Sequence, residues 1–270
     1  MKKQIIELLQ QCGLEQYKEV IEQGIKPSIR LKPKRVKQEK TIPIGSSKMG
    51  GRPDLPPSID WPVWSAKEEH QLSFLCQVNL LELPEMPLSL ERTVPQSGML
   101  YFFFASTNEA LYEEDWFPTQ KDACRVLFYN GDASILRRTN YPKKMKKEGC
   151  FPACSLMTLI EWDIPSSEWI ALEEEEQDFW VKWEDFNKKH QLNFVSDTDE
   201  TYFRPVHKLF GHVDAIQYEM EREWVHLLTV DTCEELKMDW GDTGHVVFWV
   251  PEKDLKKWLF TNVLAEMECS

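Results

Sequence analysis

Glycine is scarce in this sequence, with 11 in 270 residues. None stands in a dinucleotide fingerprint, a Walker loop or a nucleophile elbow, the spacings that bring backbone against a phosphate or expose a catalytic serine. A zincin helix and a calcium-binding loop are missing too. Long apolar runs are also lacking. No stretch approaches the roughly 20 residues needed to span a bilayer, and no signal-peptide core follows Met1-Lys2-Lys3. Seven cysteines (12, 76, 124, 150, 154, 233 and 269) make an odd, irregular set. Only Cys150 and Cys154 lie close together, without a second pair or spaced histidines, so they give no zinc pattern. The consistent reading is a cytoplasmic protein with reduced thiols, and neither a metal nor a cofactor is expected.

Positive charge is in deficit overall, with a net charge of -13, but unevenly. Residues 1–52 hold 12 Lys/Arg against 5 Asp/Glu, and the remainder holds 20 against 40. An acidic body repels nucleic acid and anionic lipid, whose recognition needs clustered cations. Nucleic acid and membrane are therefore excluded as partners, leaving a protein or a small ligand. The basic run Arg30–Lys37 is expected to be a solvated stretch on an early strand or edge. What the chain has in quantity is aromatics, 11 Trp and 14 Phe among them, which belong in a core or a cleft.

Apolar residues at helical spacing predict two N-terminal helices within residues 1–24, broken at Cys12-Gly13. Residues 173–190 predict another helix, with Phe179, Trp180, Trp183 and Phe186 on one face and Glu173–Glu176 as a solvated first turn. Period-2 alternation from Ile29 and apolar runs at 72–80, 98–104, 124–129, 156–162, 224–232 and 244–250 predict strands. The Gly- and Pro-rich stretch 42–57 reads as a rigid connection, Asp115–Pro118 as a segment between strands, and Asp239–Asp242 as a hairpin turn.

Self-similarity organises these pieces. Trp224–Thr232 echoes Leu72–Leu80, placing Thr229 and Asp231 where Gln77 and Asn79 stand. Gly244–Val250 echoes Gly98–Phe104, and His207–His212 echoes Ser47–Gly51. Three blocks in one order predict an α+β, mainly β protein, a single unit over 1–270. Its two related β-sheet halves, about 42–150 and 200–262, pack into one body through their apolar faces.

Lys48-Met-Gly-Gly-Arg-Pro-Asp-Leu-Pro56, Trp61-Pro62, the 72–80 and 98–104 strands, and His207–His212 with Gln217 resemble the YwqG-like family of uncharacterised bacterial proteins. The resemblance covers about residues 1–262. It implies a duplicated, mostly β fold in a cytoplasmic setting and supplies no activity. Such proteins often carry a Gln in the second-half strand, where this chain has Thr229.

Candidate ligand-binding residues are Lys48, Gly50, Gly51, Gln77, Asn79, His212 and Gln217. A buried amide such as Gln77 needs partners; it either bonds the Gly50–Gly51 loop or faces a ligand, and the loop is the expected partner. Gly45–Gly51 has the composition of an anion nest. His207, His212, His226 and His245, with Asp214 and Asp231, could converge on a divalent metal, although His226 reads as a core residue. The leading expectation is a binding module that engages a protein or small ligand through a cleft between the halves or an acidic face. An enzyme or metal-dependent site at the junction of the halves is the alternative.

Overall fold

The computed structural model describes residues 1–64, 70–106, 123–165, 177–194, 206–213, 223–242 and 244–269. The strands are β1 (Lys26–Arg35), β2 (Lys48–Met49), β3 (Asp54–Leu55), β4 (Ser73–Asn79), β5 (Met99–Phe104), β6 (Cys124–Tyr129), β7 (Arg137–Arg138), β8 (Cys154–Asp163), β9 (Lys208–Phe210), β10 (Trp224–Asp231), β11 (His245–Pro251) and β12 (Leu264–Glu268). The helices are α1 (Lys2–Gln11), α2 (Lys18–Gly24), α3 (Leu88–Glu91), α4 (Gln177–Phe194) and α5 (Glu252–Leu255).

Ten strands form one antiparallel sheet in the order β12-β11-β10-β9-β1-β8-β2-β4-β5-β6, and β3 pairs with β7 outside it. The protein is thus mainly β, but a single continuous sheet replaces the two packed sheets expected. Two arms, β2-β4-β5-β6 and β9-β10-β11-β12, run outward from the central pair β1 and β8. That pair is in register along its whole length, from Lys26 opposite Asp163 to Arg35 opposite Cys154. Only the start of the basic run lies mid-sheet, where β9 covers Ser28–Arg30 and His207 O accepts Leu31 N–H. Among the described residues Lys32–Arg35 pairs with β8 on one side alone and becomes exposed toward its end, the edge stretch expected. The alternation of β1 puts Ile29 and Leu31 in the core, fully buried, and Arg30 on the opposite face, where it too is buried.

Alternation sorts every strand onto two faces. Leu100, Phe102, Phe104, Leu228, Val230, Val246 and Phe248 share the inner face and one core with Ile29 and Leu31. The sheet curls far enough for the arms to touch: the Phe102 and Phe248 rings are 5.4 Å apart, those of Phe104 and Trp240 5.9 Å, and those of Phe128 and Trp258 5.0 Å. Outside the β4-β5 arm, Trp61, Trp64, Phe74, Tyr101 and Phe103 build a second cluster. A third joins Ile5, Leu9 and Ile21 of α1 and α2 to Phe179, Trp183 and Phe186 of α4. Trp180 is 41% exposed and leaves that face, because consecutive helical residues point about 100° apart. The Glu173–Glu176 run and Asp115–Pro118 lie outside the described residues.

The two arms carry the same irregularities. The register of β4 with β5 shifts between Phe74 and Cys76, and that of β10 with β11 between His226 and Leu228. Lys48 stands opposite Gln77, and Lys208 opposite Thr229. Each short strand then enters two successive left-handed residues, Gly50 and Gly51 in one arm and Phe210 and Gly211 in the other.

Candidate functional site

The polar residues in β4 are explained by what lies over them. Gln77 and Lys48 point to the outer face, beneath the connection from β1 to β3. The side chain of Lys48 is fully buried, and its Nζ donates to Arg52 O and lies 3.3 Å from Asp54 Oδ1 and 3.5 Å from Glu39 Oε1. Asp54 is the hub. Arg138 Nε reaches its Oδ1 at 2.9 Å, and Gly45 N–H and Gln77 Nε2 donate to its Oδ2 at 3.0 and 2.9 Å. Gln77 Oε1 accepts Asp54 N–H, and Gln77 Nε2 also donates to Ser46 O. Asn79 Nδ2 donates to Gly45 O. Lys48, Gly50, Gly51, Gln77 and Asn79 thus come together, with their polar side chains bonded to this chain's own loop. Burial works against the charge of Asp54, yet Arg138, Lys48 and the Gly45 N–H outweigh it and hold the carboxyl below its ordinary range.

In the other arm, Lys208 Nζ donates to Asp163 Oδ2 at 2.6 Å, His212 N–H reaches the same oxygen at 3.0 Å, and Ser28 Oγ donates to Oδ1. His212 Nε2 donates to Gly24 O. The structure does not bring His212 to the Lys48 knot: Lys48 faces Ser155, while Lys208 faces Arg30, which is opposite Leu159. Three strand spacings and four residues of strand separate them, on the order of 20 Å.

Between β8 and the end of β4 lies a groove of about 480 Å³, lined by Thr41, Ile42, Ser46, Ser47, Glu82 and the Ser155–Thr158 stretch among others. Its cause is local. Strand β2 ends because Ser47 N–H turns away from β8 and donates to Glu82 Oε2 at 2.7 Å. Leu156 N–H still reaches Ser47 O; beyond it no described strand pairs with that edge of β8. The backbone groups of Thr158 and Ile160 point the same way as those of Leu156, toward the open edge.

Residues 47–269 match a family described as a domain of unknown function, DUF1963. The chain belongs to the DUF1963 family. No curated protein matches it. The matched span begins at Ser47, one residue before Lys48, and takes in Lys48, Asp54, Gln77, Asn79 and Arg138 of the knot but not Glu39, Gly45 or Ser46, with the groove wall at Glu82 and the whole β9–β12 arm. The central strand β1 precedes it.

Within the DUF1963 span the histidines have separate commitments. His207 Nδ1 accepts Asp231 N–H, and its Nε2 has no hydrogen-bond partner among the described residues. His226 donates from Nδ1 to Phe210 O and accepts the Thr229 hydroxyl at Nε2, the satisfied core residue expected. Burial drives both imidazoles down to about 3. Among the described residues no group of three His, Cys, Asp or Glu could hold a metal ion; Asp214 and Gln217 lie outside them. Of the residues expected to converge, Asp231 and His245 do stand side by side, in a row across β10, β11 and β12 whose third member, Glu268, sequence reasoning missed. There Asp231 is opposite His245, and His245 is opposite Glu268, with Nε2 3.3 Å from Oε2. Burial raises the Asp231 carboxyl, and burial with neighbouring Glu268 raises Glu266. Period-2 spacing of Glu266 and Glu268 in an otherwise apolar strand was the available signal. Glu39 and Arg138 had none.

Proposed function

We propose that this DUF1963 chain is a YwqG-like cytoplasmic binding module built by internal duplication, and that its groove takes an extended, basic peptide segment as an added strand along β8. Duplication is supported by the matched register shifts, the matched Lys48–Gln77 and Lys208–Thr229 pairs, and the matched left-handed loops. On this reading the halves include the central strands, β1 with β2 to β6 and β8 with β9 to β12.

The observation that carries the binding role is the difference between two corresponding edges. Beyond His207, whose carbonyl accepts Leu31 N–H, the free edge of β1 is blunted. Pro33 has no N–H to offer there, and the Glu234–Leu236 turn packs against the strand. The edge of β8 has Thr158 and Ile160 instead, and opens on the groove. A strand added there would continue the line of β2, antiparallel to β8, with main-chain bonds supplying affinity and alternate side chains supplying selectivity. The only charged side chain lining the groove among the described residues is Glu82, so a Lys or Arg in the segment is complementary to it.

Selection of short extended segments from a displayed library on the wild-type protein and on Thr158→Pro tests this. The proline removes an N–H that faces outward and leaves the β1 pairing intact. Enrichment of basic segments by the wild type alone is the expected result, and equal enrichment by both moves binding away from β8. A second reading, an enzyme, is favoured by the Asp231-His245-Glu268 row, which sets an imidazole Nε2 3.3 Å from the oxygen of a buried carboxyl group. Under that reading His245→Gln abolishes turnover of a substrate found by screening and leaves segment binding unchanged.

A further inference from the structure

We infer that the Lys48–Arg52 loop is a carboxylate-binding socket whose resident ligand is Glu39, so that a chain without that side chain takes up a small carboxylate anion such as formate in its place.

Gly50 and Gly51, at φ +62° and +68°, turn successive N–H groups in different directions. Gly50 N–H donates to Leu75 O and Gly51 N–H to Phe151 O, so both are consumed by the scaffold. Arg52 N–H is directed outward and donates to Glu39 Oε1 at 2.6 Å, while Arg52 Nε donates to Oε2 at 2.9 Å. The two oxygens are therefore held by a fork of one backbone and one guanidinium donor, the arrangement that suits a planar carboxylate. Lys48 Nζ supplies a second cation 3.5 Å from Oε1. Glu39 is not part of the loop. It arrives on a 3-10 turn, Glu39–Thr41, and Arg138 fixes that turn by donating to Glu39 O at 2.7 Å.

The second arm supplies an independent copy. Phe210 and Gly211 are the left-handed pair, at φ +60° and +77°, and His212 N–H takes the place of Arg52 N–H. The anion it meets is Asp163, at the end of β8, again with a lysine, Lys208. The two anions differ in residue type and come from different elements, a turn in one arm and a strand end in the other. What recurs is the loop, the lysine and a carboxylate, so the loop geometry itself calls for an anion. Glycine at the second left-handed position fits this requirement. A Cβ on Gly51 would overlap Glu39 Oε1, and a Cβ on Gly211 would overlap Asp163 Oδ2.

Charge and size define the ligand class. Lys48, Arg52 and Arg138 face Glu39 and Asp54. Loss of Glu39 leaves three cations around one carboxylate, which favours a single negative charge. The Glu39 side chain is 17% exposed, so the vacated space has the size of a carboxylate group and opens to water on one side.

The experiment compares thermal melts of wild type, Glu39→Ala and Glu39→Gln in sodium formate and in sodium chloride of equal ionic strength. Glu39→Ala melts roughly 5 °C or more below wild type. Formate restores at least half of that loss, saturably, and chloride does not. Wild type and Glu39→Gln, whose sockets are filled, respond equally to the two salts. Parallel responses of all three proteins, or no separate response of Glu39→Ala to formate, overturn the inference. If Glu39→Ala is recovered only unfolded, its refolding yield in formate against chloride is the readout, with the same two outcomes. Thr41 of the same turn lines the groove, but the melts contain no peptide segment and compare formate with chloride, so their outcome is read independently of the segment-binding selection.

Discussion

Replacing Gly51 with alanine separates backbone strain from the anion contact. Gly45 is the control: it is left-handed at φ +80°, and an added Cβ would meet only Leu136 Cδ1, at an ordinary 3.4 Å. Gly45→Ala should therefore cost only the left-handed penalty, about 1–2 kcal/mol. Gly51 has the same penalty at φ +68°, but its Cβ would also overlap Glu39 Oε1 and stand 2.7 Å from Ala153 Cβ. Glu39 must then leave Arg52 N–H and Nε, and charge-assisted hydrogen bonds of this kind are worth about 1.5–3 kcal/mol each. The total for Gly51→Ala is roughly 4–8 kcal/mol, a large share of the ~5–15 kcal/mol that stabilises a typical domain. Urea unfolding followed by tryptophan fluorescence reads both variants on one scale. In a Glu39→Ala background the cost of Gly51→Ala should fall by at least ~2 kcal/mol, because the displaced ligand is already gone. Equal costs for Gly45→Ala and Gly51→Ala, or a Gly51→Ala cost that Glu39→Ala does not change, would refute the reasoning.

Gln77→Ala deletes two buried hydrogen bonds, to Asp54 N–H and Asp54 Oδ2, and a part-buried one to Ser46 O; a calorimetric scan should show a fall of roughly 6 °C or more, and a shift within a couple of degrees would free Gln77 for another role. Acid should destabilise the protein. His207 and His226 stay neutral in the fold down to about 3, so the unfolded chain alone takes up protons once pH falls below about 6.5. Glu39, Asp54 and Asp163, held below their ordinary ranges, lose their contribution in the same direction at lower pH. Asp231 and Glu266 are raised and act oppositely, so urea midpoints between pH 7 and 4 should fall overall, and a flat profile would count against the buried imidazoles. Lys237 is exposed and left-handed, at φ +52°, where it ends the Glu234–Leu236 turn; Lys237→Gly should stabilise by about 0.5–1 kcal/mol in the same urea assay. Five of the seven cysteines are buried, and Cys150 and Cys154 are not joined to each other. A thiol reagent should modify Cys150 and Cys269 quickly in the native state and reach Cys76 only on unfolding.

The individual strands were legible because each is a short apolar run bounded by turn residues. Cys124–Tyr129 is observed with the bounds expected, and Leu72–Leu80 is observed as Ser73–Asn79. That a mid-strand Gln among apolar neighbours must find a partner was legible as well, but the expected Gly50–Gly51 backbone is not that partner: Gln77 bonds Ser46 O and both the N–H and the carboxylate of Asp54. Strand order was not legible. Lysines and Pro33 mark the second half of β1 as an edge, which it is, but its first half is flanked by β8 and β9, both more than a hundred residues away in sequence. Arg30 is buried there, and nothing in its own neighbours announced that. The Gly45–Gly51 composition suggested an anion nest, but Gly50 and Gly51 N–H go to scaffold carbonyls. The carboxylates present are Asp54, on Gly45 N–H, and Glu39, on Lys48 and Arg52, and an intramolecular ligand leaves no spacing rule. Trp180 was assigned to the wrong face by proximity to Phe179, where a 100° step places it outside.

The place of β1 bears on how this family is handled in practice. The family match begins at Ser47, but the strand holding the two arms together lies upstream of it. A clone trimmed to the matched span would expose β8 and β9 as facing, unzipped edges and strip Ile29 and Leu31 from the core. Such a fragment should aggregate, and a synthetic strand covering residues 26–35 should be the splint that mends it. The chain is in this sense a natural candidate for a split reporter, with its clasp at the N-terminal end and its two arms waiting to close on it.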